Sequence, residues 1–269
     1  MKKSFFALIM LLACSPAYSQ IVRSTTFTKQ AKEKSKIEWF ARLGLSCNNL
    51  TGAAMKEAKS QIDEDQRESD ENENWSAKFG TRANYEIAGG FNKYFGKSNV
   101  YWGMELGLGS RGGSYAYKGK ETHGDNNYET CDKAYVNSYN VKYTPFVVGY
   151  KYPVTDDIKV DAHLGIYLSY DFAGTYTEDE WNKVNGKIDE EYKDSWNFTD
   201  DYVDGYGIDC GLQLGIGVWY RKINLNFTWQ RGFAPYIGGF PFGDNWYNKS
   251  GDQVYFNSSN AVISIAYAF

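Results

Sequence analysis

The sequence predicts an all-β fold, an eight-stranded antiparallel up-and-down transmembrane β-barrel. Eight segments alternate large apolar residues with small or polar ones, so each would carry one apolar face. The connections between these segments alternate between short and long. The last segment, residues 260–269, has an apolar face and ends on Phe269. Such a strand is unfavourable at an exposed sheet edge, whereas a closed barrel in lipid has no free edge and needs an apolar outer face.

The strands are predicted where the alternation holds. Most of the segments exceed the roughly 9–11 residues that a tilted strand needs to cross a bilayer. A ten-stranded barrel stays open as an alternative, because residues 194–202 could add strand to the ring. The eight predicted strands are residues 37–47, 75–91, 100–111, 135–151, 158–172, 206–220, 223–233 and 260–269.

The connections predict where the barrel resides. Short connections follow the second, fourth and sixth strands, and long connections follow the first, third, fifth and seventh. This alternation is typical of outer-membrane barrels, which have short periplasmic turns and long extracellular loops. We therefore expect a barrel domain over residues 37–269 in the outer membrane of a Gram-negative bacterium. The predicted extracellular loops are residues 48–74, 112–134, 173–205 and 234–257.

The N-terminal segment has the pattern of a secretory signal peptide, predicted over residues 1–19. Lys2 and Lys3 precede an apolar run over residues 5–13, and small residues lead up to Gln20. The run is too short for a membrane-spanning helix. Cleavage before Gln20 would leave residues 20–36 as a mobile periplasmic tail. Acylation of Cys14 after a lipoprotein-type cleavage is the alternative.

The remaining cysteines are Cys47, Cys131 and Cys210. An odd number in an exported chain implies at least one thiol without an intramolecular disulfide. Their wide spacing shows no metal-ligand pattern. We expect Cys47 and Cys210 to be small apolar residues on strand surfaces, and a disulfide that involves Cys131 stays open.

Four segments share motifs with a known family. Residues 143–151 form an apolar strand with an internal Thr-Pro and a Tyr-Lys end, residues 208–217 read D-x-G-x-x-x-G-x-G, and residues 164–170 and 229–233 carry two further strand motifs. In this order they resemble strands of the PorT-like outer-membrane β-barrel family of Bacteroidetes, over about residues 37–269. The resemblance implies an eight-stranded outer-membrane protein β-barrel domain, and it suggests an accessory role in a secretion or envelope-assembly machine.

The interior of an eight-stranded barrel has room only for side chains. The inward faces carry charges of both signs, which would pair with one another in a plugged core. No cofactor and no metal site is predicted. The predicted interior polar network consists of Glu38, Arg42, Lys78, Arg82, Glu86, Glu105, Lys142, Asp161, His163 and Asp209.

The leading functional expectation is a non-enzymatic barrel that serves envelope integrity or surface adhesion through its extracellular loops. The resemblance supplies the second expectation, a secretion or assembly component. A lipid-modifying barrel enzyme is the third, because His163 and Asp161 share one strand face; no Gly-x-Ser-x-Gly motif accompanies them. Acidic runs in residues 48–74 and 173–205 are interpreted as solvated loops. Divalent-cation binding between these loops and lipopolysaccharide is the alternative.

The expected partners follow from the barrel itself. They are outer-membrane lipid, lipopolysaccharide, possible secretion-machine proteins and, during insertion, the barrel-assembly machinery, which would read Ile265, Tyr267 and Phe269 as an assembly signal. A net charge of −4 without a basic cluster argues against a nucleic-acid partner. The barrel is expected to be a monomer.

Overall fold

A closed ring of eight antiparallel strands forms the barrel in the computed structural model, which describes residues 37–68, 73–96, 98–197, 207–234, 246–247 and 250–269. The elements in chain order are β1 (Ile37–Gly52), α1 (Ala53–Glu68), β2 (Glu73–Gly80), β3 (Arg82–Tyr94), β4 (Val100–His123), β5 (Asn126–Pro153), β6 (Ile158–Val184), β7 (Lys187–Asn197), β8 (Ile208–Tyr220), β9 (Ile223–Gly232), β10 (Trp246–Tyr247), β11 (Gln253–Val254) and β12 (Phe256–Ala268).

The ring runs β1, β3, β4, β5, β6, β8, β9, β12 and back to β1. The last strand closes it, because Ile265 pairs with Leu43 of β1 on one side and with Leu225 of β9 on the other. The backbone N–H of Phe269 also donates to the carbonyl of Trp39 (2.9 Å). The prediction of an eight-stranded antiparallel barrel is confirmed. Among the described residues, no helix is long and apolar enough to cross a membrane.

Side chains on the ring strands alternate between the two surfaces, as predicted. Leu45, Ile216 and Ile263 are exposed on the outer surface, whereas Arg42 and Gln213 are buried inside. An apolar outer surface suits contact with lipid, and polar groups that turn inward can pair with one another.

The first three long connections differ from the prediction of loops, because much of each is regular structure. Residues 112–134 continue β4 and β5 as a hairpin, and residues 173–197 continue β6 and add β7. Residues 53–68 form the helix α1. The segment predicted as one strand over residues 75–91 is two strands, β2 and β3, separated at Thr81. Residues 198–206 and 235–245, within two of the predicted loops, lie outside the described residues, as do the predicted signal peptide and tail (residues 1–36).

Five strands rise beyond the ring at its long-hairpin end and form what we call the sheet extension. It consists of β2, residues 114–123 of β4, residues 126–135 of β5, residues 175–184 of β6, and β7, all antiparallel. The tip of the β6–β7 hairpin is Asn185-Gly186, both with positive φ (53° and 79°), the combination that a tight two-residue hairpin turn requires. Since β7 pairs with β6 beyond the ring, it adds no ninth barrel strand.

Candidate functional site

The centre of the barrel interior holds a buried four-residue charge cluster. The guanidinium of Arg42 contacts the carboxylates of Glu86 (2.6 Å) and Glu105, and the ammonium of Lys142 contacts Glu86. The four side chains come from β1, β3, β4 and β5 and are all buried. Two cations and two anions balance here, so each buried charge has an opposite partner, as stability in a low-dielectric interior requires.

A second cluster lies nearer the long-hairpin end. Arg111 of β4 donates to Asp171 from Nε (3.0 Å) and Nη2 (2.7 Å), and from Nη1 to Asp209 (2.8 Å). The hydroxyl of Ser258 also donates to Asp209 (2.8 Å). Arg111 thereby joins β4, β6 and β8 across the interior, and its planar fork suits two carboxylates at once.

A third cluster lies at the short-turn end. Lys151 pairs with Glu38, and its ammonium lies 3.7 Å from the ring centroid of Trp219. Asp161 accepts a hydrogen bond from the hydroxyl of Tyr101 (2.9 Å) and lies 3.2 Å from Nδ1 of His163. The His163 ring packs against Gly215, where a Cβ would stand only 2.2 Å from Nε2. The imidazole therefore packs directly against the backbone of β8.

A small polar cavity separates the central cluster from the short-turn cluster. Its volume is about 40 Å³, enough for a few water molecules. Three buried lining atoms have no hydrogen-bond partner among the described residues: Trp219 Nε1, Asn224 Nδ2 and Asn226 Oδ1. These atoms would give such waters the polar contacts that they need.

The structure places the predicted network residues in two groups. Glu38, Arg42, Glu86, Glu105, Lys142, Asp161, His163 and Asp209 lie in the three interior clusters. Lys78 and Arg82 do not. Lys78 is exposed on β2, and Arg82 is half-buried with its guanidinium 5.6 Å from the ring of Tyr135.

The break at Thr81 explains why the prediction for Lys78 was wrong, whereas Arg82 follows the break and pairs with the buried Asn48 of β1. On the barrel side of this break, Asn84 and Glu86 of β3 point inward. On the side of the sheet extension, Phe79 of β2 packs against Tyr115, which also faces inward. The inward parity therefore changes at Thr81, and Lys78 turns outward. The prediction also left out Arg111, Lys151 and Asp171, although Arg111 and Asp171 continue the inward alternation that runs through Glu105 and Asp161.

An apolar plug closes the interior above the second cluster. Leu50 and Phe256 are buried there with Tyr115 and Val136, and Ala54 at the start of α1 packs against them. The ring of Phe79 lies 5.1 Å from that of Tyr115 and 6.0 Å from that of Phe256. Helix α1 packs against this plug, since its Ala54 belongs to the cluster and its Ala58 is also fully buried.

The two faces of the sheet extension carry opposite charge. The face that continues the barrel interior, here called the acidic face, has register rows Tyr117–Asp132–Glu180–Tyr192 and Tyr115–Ala134–Glu178–Asp194. The opposite face, here called the lysine face, has the row Lys78–Ala116–Lys133–Asp179–Lys193. By the same register, Lys118, Lys120 and Lys183 share the lysine face with Glu129 and Glu191, and Glu73, Glu121 and Glu190 share the acidic face.

Three carboxylates crowd together on the acidic face. Oxygen atoms of Asp132, Glu178 and Glu180 lie within 4.8 Å of one another, a spacing at which one divalent cation would reach all three. Burial, together with the negative charges of Glu180 and Glu178, raises the pKa of Asp132 to about 6. Burial and Glu180 raise the pKa of Glu178 as well. Asp132 and Glu178 are therefore harder to ionise than isolated carboxylates.

The stability of the sheet extension is expected to increase as the pH falls. The folded-state pKa of Asp132, about 6, lies above its ordinary value of 3.8, so ionisation opposes folding above pH 6 and this cost disappears towards pH 4. Amide hydrogen exchange of residues 126–135, corrected for intrinsic rates, should be slower at pH 5 than at pH 8. Asp132→Asn should reduce this difference, and an unchanged pH dependence in that variant would contradict the assignment.

The remaining predicted residues lie on the outer surface or in the sheet extension. Ile265, Tyr267 and Phe269 are exposed on the lipid-facing side of the terminal strand segment. Cys47 and Cys210 are exposed and Cys131 is buried in the sheet extension, and all three are free thiols. The disulfide left open for Cys131 is therefore absent among these residues.

Comparison with known proteins identifies one matching family. The model of a family described as outer membrane protein beta-barrel domain matches residues 20–238. No curated protein matches the chain significantly.

Several solved barrels are similar only at a low level. The alignment with Neisserial surface protein A covers 86% of this chain and 97% of that protein, with 7% identity and a TM-score of 0.35. The attachment invasion locus protein Ail of Yersinia pestis, solved with the heparin analogue sucrose octasulfate, covers 87% and 99%, with 8% identity and a TM-score of 0.28. The N-terminal barrel domain of Pseudomonas aeruginosa OprF covers 85% and 97%, with 11% identity and a TM-score of 0.22. At TM-scores this low, the fold rests on the strand pairing of the chain itself.

Proposed function

Because this chain belongs to the outer membrane protein β-barrel domain family and lies in the outer membrane of a Gram-negative bacterium, we propose that it is a closed, non-enzymatic surface barrel that acts through its sheet extension, in surface adhesion or envelope integrity. The observation that carries this proposal is the double closure of the interior. Charge clusters fill the ring, and the apolar plug of Leu50, Tyr115, Val136 and Phe256 lies above them. Little room remains for a pore, whereas five strands project beyond the lipid-facing surface.

The proposed orientation places the long-hairpin end outside the cell. Outer-membrane barrels keep short turns in the periplasm and long connections outside. The short turns here join β3 to β4, β5 to β6 and β8 to β9. The sheet extension and α1 would then face the surroundings, and lipopolysaccharide would surround their base.

The environment of His163 supports a non-enzymatic role. Its Nδ1 lies against Asp161, which also accepts the hydroxyl of Tyr101, and the opposite edge of the ring packs against Gly215. The imidazole of His163 thus lies among the buried polar side chains at the short-turn end of the barrel. A substrate in the outer leaflet would approach from the lipid side or from the long-hairpin end, and neither route leads to this ring.

A second candidate function is an accessory role in a secretion or envelope-assembly machine. The motifs over residues 143–151, 164–170, 208–217 and 229–233, which resemble the PorT-like family, favour it, and they lie on the ring strands β5, β6, β8 and β9. Such a role would use the ring or its periplasmic end. Affinity purification from gently solubilised outer membrane, with mass spectrometry of the retained proteins, would support this candidate if secretion or assembly proteins are recovered in stoichiometric amounts.

Shortening two hairpins tests the first candidate. Residues 117–132 and 179–193 are each replaced by Asn-Gly, so that the directly paired residues Ala116 and Lys133, and Glu178 and Asp194, flank tight turns. The lipid-spanning ring stays intact. Cells with this variant should attach to surfaces, or resist detergent, no better than cells that lack the protein.

Heat-modifiable mobility on gels serves as the assembly control, since a folded barrel migrates differently from the unfolded chain. Full complementation of both phenotypes by a correctly assembled, shortened variant would refute the surface role. It would favour the machine component, whose contacts lie at the ring.

A further inference from the structure

The lysine face presents cations in an ordered row. Lys78, Lys133 and Lys193 lie on alternate strands of one register row, with Ala116 and Asp179 between them. At about 4.8 Å between neighbouring strands, successive lysines of the row lie about 10 Å apart. Lys78 and Lys193 are exposed and Lys133 is half-buried.

This row is continuous with the lipid-facing surface of the barrel. On β5 the outward series rises through Tyr150, Val148, Phe146 and Tyr139, all exposed. It reaches Lys133 six residues beyond Tyr139, on the face opposite the buried Ala134. The outward-facing surface that contacts acyl chains therefore carries lysines at the end of the sheet that lies beyond Tyr139.

The height of the row above Tyr139 indicates which kind of lipid it contacts. Six residues extend about 20 Å along a strand, which is about 15 Å in height at a tilt near 40°. A phospholipid headgroup layer is only about 5–8 Å thick on each side of the hydrocarbon core. A glycolipid whose phosphorylated sugars extend above the acyl chains reaches the row.

From this charge, continuity and height, we propose that the lysine face binds the phosphate groups of the lipopolysaccharide that surrounds the barrel. The proposal rests on the outward orientation of the sheet extension given above. The acidic face points to the other side, over the barrel mouth, so one side of the sheet attracts the anionic glycolipid and the other repels it. The sheet extension would thereby be anchored in the sugar layer.

Three substitutions in the row test this assignment. Full-length protein, wild type or Lys78→Gln/Lys133→Gln/Lys193→Gln, is captured from neutral detergent micelles that contain phosphorylated or enzymatically dephosphorylated lipopolysaccharide. Bound lipopolysaccharide per barrel is then measured at low and high salt. A lysine near an anionic surface contributes about 1 kcal/mol. The apparent affinity for the phosphorylated form should therefore fall on the order of tenfold to a hundredfold at low salt, and less at high salt.

The matched control removes the same charge from the outer surface at the other end of the barrel, with Lys93→Gln/Arg221→Gln/Lys222→Gln. It should retain the wild-type affinity. Equal losses in the two variants, no loss in the row variant, or equal wild-type binding of phosphorylated and dephosphorylated forms would each overturn the proposal. Heat-modifiable mobility checks that both variants are folded. Because the assay uses purified protein, its result is independent of the cell phenotypes that test the proposed function.

Discussion

Replacement of Arg111 by Met is expected to lower the free energy of unfolding of the barrel by about 3–5 kcal/mol. Methionine roughly fills the space but removes the cation that Asp171 and Asp209 share. Two buried carboxylates would then remain without a cation to balance their charge. Urea unfolding in phosphatidylcholine vesicles, followed by tryptophan fluorescence, measures the change.

Two controls separate the lost charge from the lost side chain. Arg221→Met breaks an exposed pair with Asp157 and should have little effect, because water screens that pair. The triple variant Arg111→Met/Asp171→Asn/Asp209→Asn leaves no charge in this cluster and should recover most of the stability. If Arg111→Met costs no more than Arg221→Met, the bridge between β4, β6 and β8 does not stabilise the barrel.

Replacement of Phe256 by Ala should destabilise the long-hairpin end by about 3–5 kcal/mol, the usual range when a buried aromatic residue is truncated. Phe256 is fully buried between Leu50, Phe79 and Tyr115, so the variant leaves a cavity in the apolar plug. Limited proteolysis should cut the sheet extension and α1 earlier than in the wild type, and hydrogen exchange should be faster there.

Phe233→Ala is the matched control, because Phe233 is exposed just after the end of β9. Its effect should stay within about 0.5 kcal/mol. In planar bilayers neither the wild type nor Phe256→Ala should show a steady conductance, since the charge clusters still fill the ring below the plug. A reproducible open channel in Phe256→Ala alone would mean that the plug, and not the charge clusters, closes the barrel.

The ring could be predicted from the sequence because lipid imposes a strong contrast between its two surfaces. Along β6, Ile158 and Val160 alternate with Lys159 and Asp161, and this contrast fixes both the strand and its inward face. The pairs Arg42–Glu86 and Lys142–Glu86 lie within the predicted set for the same reason. Their individual partners depend on how strands distant in sequence are staggered around the ring, which alternation within one strand does not encode.

The sheet extension escaped prediction because both of its faces carry polar and charged side chains. Its rows place Lys133 beside Asp179 on one face and Asp132 beside Glu180 on the other, so the apolar contrast disappears. Two local signals were nevertheless present. Asn185-Gly186 is a strong hairpin turn pair. Residues 53–68, rich in Ala, Lys, Glu and Gln, have the composition of a helix.

The pairing of β1 with β12 also has a consequence for folding kinetics. Phe40 pairs with Ala268 and Gly52 with Phe256, so the contacts that close the ring join residues from opposite ends of the described chain. Contacts this distant in sequence slow folding, because loop-closure entropy must be overcome before they form. Until β12 docks, β1 presents an unpaired edge to any other chain. The rate at which this barrel closes should therefore depend on how well its first strand is shielded before the last strand docks.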